Sequence, residues 1–299
     1  MKLLKNKYRY INSHNFSAVI NADDFGISPG TNRGIQKAFK NGILTSASIM
    51  PSGLAYEEAV KIAKKNPKLG IGIHLSLTWG MSCLPKKAIP DLVDEDRYFY
   101  PSFLGIMLKA FFLKRVRFQI KKEFEAQIKK VLNSGIRPDH LNGQVHVHFL
   151  PFIFPIVCSL SKKYKISYVR IPLEPLFALP TFPSLIKWGF LQTIGIILRL
   201  QGASSKNKVV FFGVLFTSTM RKKTIKKIIH FNKNHFIEIL SHPGELNLGK
   251  MRSSYSRQNI EEFIINKNRI LELSALLDRE TAIAFHKKNI RLTTFRGLA

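Results

Sequence analysis

An α/β fold is what this sequence predicts, and three observations carry the prediction. Short apolar runs rich in β-branched residues recur along the 299 residues, stretches with helical spacing separate them, and four of the runs end in Asp or His. Strands alternating with helices wire a parallel sheet, and its strand ends gather chemistry at one rim. The length suits one domain over residues 1–299 rather than two small ones, and neither an internal repeat nor a low-complexity tract divides it.

The elements follow in order. The run 18–22 reads as the first strand and 32–40 as a helix, followed by a strand at 45–50, a helix at 56–65 and a strand ending at His74. The spacing of Phe124, Ile128 and Leu132 predicts a helix over 118–132, a strand leads into the histidines that end at His148, and a helix at 151–164 precedes a strand at 167–171. A helix at 222–231, a strand at 236–240, a helix around 259–274 and a strand near 290–293 complete the series.

Two stretches break the rhythm and read as insertions, near 81–116 and 172–208. In the first, 101–113 is almost wholly apolar and runs into Lys114, Arg115, Arg117, Lys121 and Lys122; in the second, 176–200 holds Trp188, Phe190 and one lysine, Lys187, before Arg199. The first is too short to span a membrane, and prolines and the lysine interrupt the second. Apolar residues beside clustered cations suit insertion into a membrane interface, while lids or core helices packed on the domain would have the same composition.

Charge bears on that choice. Lys and Arg number 47 against 19 Asp and Glu, a formal net charge of +28. Such a surface attracts anions, whether phospholipid, a phosphate-bearing substrate or nucleic acid, although biased composition alone would also produce it and no nucleic-acid motif accompanies the lysines. Cys83 and Cys158 make neither a metal pair nor a disulfide framework, and residues 1–10 have charge without the apolar core of a secretory signal. The expected location is the cytoplasm, extending to the inner face of a membrane, and association into an oligomer stays open.

The chemistry sits at strand ends. Asp23 and Asp24 close the run Ala18-Val19-Ile20-Asn21-Ala22, so one acid can bind a metal while its neighbour handles a proton; an Asp-rich turn closed by Gly26 would look the same. His74 ends a second strand. In a third segment His140, Asn142, Gln144, His146 and His148 share one parity, which an extended strand would line along a single face. His242 follows a fourth strand just before Pro243-Gly244, and Arg170, before Ile171-Pro172, is placed either to orient sugar or phosphate or to serve as a structural ion pair.

These residues resemble the YdjC-like carbohydrate deacetylases. The resemblance rests on Asn21-Ala22-Asp23-Asp24-Phe25-Gly26, Asn41 to Ser46, Gly72 to Thr78, Pro138 to His148 and Ser241-His242-Pro243-Gly244, all in family order over most of the chain. It implies a distorted TIM-like (β/α) barrel and metal-dependent removal of an N-acetyl group from a sugar, with Asp23 as general base, Asp24 and His74 as metal ligands and His242 as acid or transition-state stabiliser. One departure matters: where the family commonly reads His-Leu-Asp-Ser/Gly-His, this chain reads His140-Leu141-Asn142-Gly143-Gln144. An amide oxygen suits a hard ion, so the expected divalent cofactor is magnesium rather than zinc, with Gln144 or His146 in the third position. The expected substrate is an N-acetylated aminosugar on a lipid, such as a polyprenyl phosphate or envelope glycolipid, presented at an anionic membrane surface. The alternatives are a soluble chitooligosaccharide-type deacetylase and a catalytically weakened barrel that binds glycolipid or nucleic acid.

Overall fold

The strand ends converge because all the strands run parallel in one curled sheet. The computed structural model describes residues 16–177, 181–201, 209–217, 219–232, 236–247 and 260–298. The reading of residues 1–10 and parts of the predicted segments 172–208 and 259–274 lie outside the described residues. The strands are β1 (Phe16–Phe25), β2 (Ser46–Ile49), β3 (Gly70–Leu75), β4 (His140–Gly143), β5 (Tyr168–Val169), β6 (Val209–Phe212), β7 (Phe236–Ser241) and β8 (Ile290–Leu292). They pair in the order β5-β4-β3-β2-β1-β7-β6, with β8 beside the start of β1. This is the expected distorted barrel, and among the described residues no ladder joins β5 to β6. Curling shows in contacts across the barrel: Tyr168 on β5 donates its hydroxyl proton to Glu238 on β7.

The helices alternate with the strands and cover the sheet. They are α1 (Pro29–Asn41), α2 (Tyr56–Lys65), α3 (Phe103–Phe112), α4 (Lys114–Asn133), α5 (Phe154–Lys163), α6 (Phe182–Leu200), α7 (Lys222–Phe231), α8 (Glu261–Ile264), α9 (Asn268–Leu277) and α10 (Arg279–Lys287). Helix α1 starts three residues before the expected 32: Ser28 caps it by accepting from the Thr31 N–H, and Pro29 occupies the first turn, where a missing N–H costs nothing. The fully buried core residues Ala18, Ile20, Ile73, Leu141 and Ile239 come from the strands. β3 needs its glycine, because a Cβ at Gly72 would lie 2.2 Å from the His140 ring.

The two stretches expected to be insertions each contribute a helix on the strand-end side, α3 and α6. Phe103 of α3 meets Phe190 of α6 edge-on, with ring centroids 6.4 Å apart. α3 buries Ile106 and Ala110 but turns Leu104, Leu108, Phe111 and Phe112 outward, between 46 and 72% exposed. α6 buries Leu191, Ile194 and Leu198 and leaves Phe182, Ile186, Ile197 and Leu200 exposed on its other side. No described helix is long and apolar enough to cross a membrane. α6 sits beside the gap between β5 and β6. There the Glu174 carbonyl accepts from Trp188 and Gln192 of α6, and its carboxylate accepts from the Val214 and Leu215 amides that follow β6.

Candidate active site

A bulge explains how two adjacent acids reach one cleft. β1 shifts register between Ala22 and Phe25, and Asp24 takes a left-handed backbone (φ 66°) that Asp tolerates better than most residues. Strand alternation would have sent Asp23 and Asp24 to opposite faces. Instead both line a cavity of about 370 Å³ together with His74, Gln144, His146 and His242. Phe103, Lys187, Phe190, Leu191 and Ile194 of the two insertions wall the same cavity. Six of the seven residues expected at the site are thus brought together.

Arg170 is the exception, and the substrate-binding role is corrected. It is fully buried and absent from the cavity wall; its guanidinium donates to both oxygens of Asp23, at 2.6 and 3.0 Å, and to Glu238 at 2.8 Å. This is the structural ion pair of the two alternatives. Burial opposes the charge on Asp23, but Arg170 and then His74 hold its carboxyl well below the usual carboxylate range. Asp24 has its own cation, with Arg269 Nη2 2.7 Å from Oδ2.

The expected single face of polar residues from His140 to His148 is also corrected. β4 ends at Gly143, and the chain turns through short 3-10 geometry in which Val145 and His146 adopt left-handed φ of 45° and 58°. Parity therefore holds only for His140 and Asn142. Gln144 and His146 reach the cavity because of the turn, while His148 turns inward and its Nε2 lies 3.0 Å from the Arg170 carbonyl. Burial, then Arg170, pushes the His148 pKa down to about 3, and His146 is likewise held well below its usual range. Both imidazoles are neutral.

Hydrogen bonding around Ser48 determines where the protons lie. Asn21 and Asn142 both donate to Ser48 Oγ, at 2.9 and 2.8 Å, so the hydroxyl spends its own proton on His140 Nε2 at 2.9 Å. His140 then carries its proton on Nδ1 and donates to Asp139 at 2.7 Å. Asn142 also donates to Asp23, at 2.9 Å, which leaves its oxygen to accept from His74 Nδ1–H at 2.8 Å. With Nδ1 committed to Asn142, the ring of His74 turns Nε2 toward Asp24 Oδ1, 3.5 Å away. A carboxylate oxygen and an imidazole nitrogen thus meet at the wall of the cavity.

The remaining donors are amide and imidazole. Among the described residues no cluster of three His, Cys, Asp or Glu is placed to hold a metal. Next to Asp24 and His74, however, Gln144 Nε2 and His146 Nδ1 are buried without partners. His242 enters from the end of β7, and Glu272 of α9 fixes it by accepting its backbone N–H and approaching Nδ1 to 3.9 Å. Trp79 and Phe263, 4.8 Å apart between centroids, form an aromatic side of the cavity. Sequence reasoning missed Arg269, Glu272 and Glu238. Only Glu238, an acid within the apolar run Phe236 to Leu240, carried a readable signal.

The chain is similar to known proteins over nearly all its length. The model of YdjC-like proteins matches residues 17–287. Carbohydrate deacetylase from Geobacillus stearothermophilus is 30% identical over 285 residues, covering 93% of this chain and 96% of that protein. Carbohydrate deacetylase from Clostridium beijerinckii is 30% identical over 282 residues, 94% and 99% of the two chains. In structure, a protein of Enterococcus faecalis V583 for which cellobiose-phosphate cleavage is suggested superposes with a TM-score of 0.70 at 24% identity, over 95% of this chain and 99% of that one, and so shares the fold. With its motifs in family order and the family match running through nearly all the described residues, the chain belongs to the YdjC-like family.

Proposed function

We propose that this chain is a divalent-metal-dependent hydrolase that removes the N-acetyl group of an aminosugar carried on a lipid. The observation that carries the reading is His74 Nε2 facing Asp24 Oδ1 across 3.5 Å, beside Asp23 and His242. Asp24 and His74 would hold the ion. Gln144 would supply the third donor on turning its amide about, because its Oε1 accepts from the Ser76 and Thr78 hydroxyls, both at 2.7 Å, and its Nε2 is the atom without a partner. An amide oxygen in that place favours magnesium over zinc. A divalent ion held there would supply Lewis acidity toward a water and the acetyl carbonyl, and Asp23 would take the proton of that water. Asp23, held by Arg170, Asn21 and Asn142, cannot swing away and accepts the proton at Oδ1 or Oδ2. His242, fixed by Glu272, protonates the departing amine or steadies the oxyanion. Support for the lipid comes from the wall of Phe103, Phe190, Leu191 and Ile194, which is too apolar to have been built for sugar alone.

Metal content of the purified protein, read by mass spectrometry, tests the ligand set. Gln144→Ala and Asp24→Asn should lower magnesium occupancy at least tenfold, whereas Asp23→Asn should keep the metal and lose turnover. Loss of metal in His146→Ala with retention in Gln144→Ala would assign the third position to the imidazole instead.

A further inference from the structure

We infer that the outward faces of α3 and α6 form a docking surface for an anionic phospholipid bilayer, set around the mouth of the catalytic cavity. The inference deepens the reading of a lipid-carried substrate and rests on it for its purpose, but not for its test. Soluble proteins seldom leave large aliphatic and aromatic side chains together in water, yet Phe112 is 72% exposed, Phe182 75% and Leu200 83%. The same two helices supply the cavity wall through Phe103 and Phe190, so the exposed faces belong to the elements that wall the reacting groups. Charge selects the occupant. From Tyr98 to Lys122 and from Pro175 to Lys208 there is no Asp or Glu, while Lys109, Lys114, Lys121 and Lys122 flank the apolar face. A second copy of this strongly cationic chain would meet like charge, whereas anionic headgroups meet the lysines and acyl chains meet the phenylalanines. With no described helix able to cross, the protein would lie on the bilayer.

Co-sedimentation with phosphatidylglycerol/phosphatidylcholine vesicles, alongside acetate release from diacetylchitobiose in solution, tests this. The wild-type chain should bind anionic vesicles at least tenfold more tightly than pure phosphatidylcholine, and 0.5 M salt should weaken binding without abolishing it. Phe111→Ser/Phe112→Ser/Ile186→Ser should lose vesicle binding at least tenfold with an unchanged melting temperature and unchanged acetate release. Lys114→Ala/Lys121→Ala should lose only the preference for anionic lipid. Equal vesicle binding by wild type and the serine variant would overturn the inference, as would a dimer in light scattering that the serine variant dissolves. Vesicle binding without acetate release would sink the deacetylase reading and leave the docking surface standing.

Discussion

Arg170 is a larger buried charge than a barrel needs, and its partners show what it is for. Its guanidinium is shared between Asp23 and Glu238, all three almost fully buried. Removing one member of such a group leaves uncompensated charge in the interior, which costs about 3–5 kcal/mol. Arg170→Leu should therefore destabilise the protein by that amount in urea unfolding, and adding Asp23→Asn and Glu238→Gln should recover much of it. An additive loss across the three changes would show that the residues act independently. At this scale the sequence showed which side chains reach the cleft but not what binds them. Asp23, Asp24, His74 and His242 were legible because each ends an apolar run. Arg269 was not, because it is one cation among many in a helical stretch, and only the folded chain brings it 2.7 Å from an acid 245 positions away.

The turn from Gln144 to Phe149 is where the sequence pattern misled. Alternate polar residues suggested a continuing strand, but the backbone leaves the strand at Gly143 and carries Val145 through a left-handed conformation that a β-branched side chain resists. Val145 is half exposed, so its side chain gives little packing in return. Val145→Gly should stabilise the protein by about 1 kcal/mol, read as a raised denaturation midpoint, while a more stable turn that aims His146 differently would lower metal content. Regular elements were easier to read. α2 and α7 coincide with the predicted 56–65 and 222–231, because each has a well-defined apolar face. β6 and α10 were missed: β6 is four residues long beside a lysine-bearing stretch, and α10 buries only Thr281 and Phe285, too few for a visible period.

At the scale of the whole molecule the informative place is the gap between β5 and β6, closed by Glu174 in place of a ladder. One carboxylate oxygen accepts two backbone amides and the other is buried without a partner, and burial raises the Glu174 pKa to about 7. The folded chain then binds a proton that the unfolded chain, near 4.5, has already released. Stability should fall as pH rises from about 4.5 to 7 and level off above, by at most about 3 kcal/mol from this residue. Glu174→Gln keeps an oxygen for the Val214 and Leu215 amides and should flatten that slope in denaturant titrations at pH 5 and 8. An unchanged slope would place the titration elsewhere.

The same gap has a mechanical meaning. A closed barrel can widen only by breaking a ladder of backbone bonds, whereas among the described residues this one meets at side chains, through Trp188, Gln192 and the Glu174 carboxylate. Among the described residues, spreading β5 from β6 would break no strand ladder, only side-chain bonds such as those of Tyr168 and Arg170 to Glu238, and α6 would move with the seam as one wall of the cavity. Opening the barrel at this seam would cost side-chain contacts rather than backbone ladder bonds.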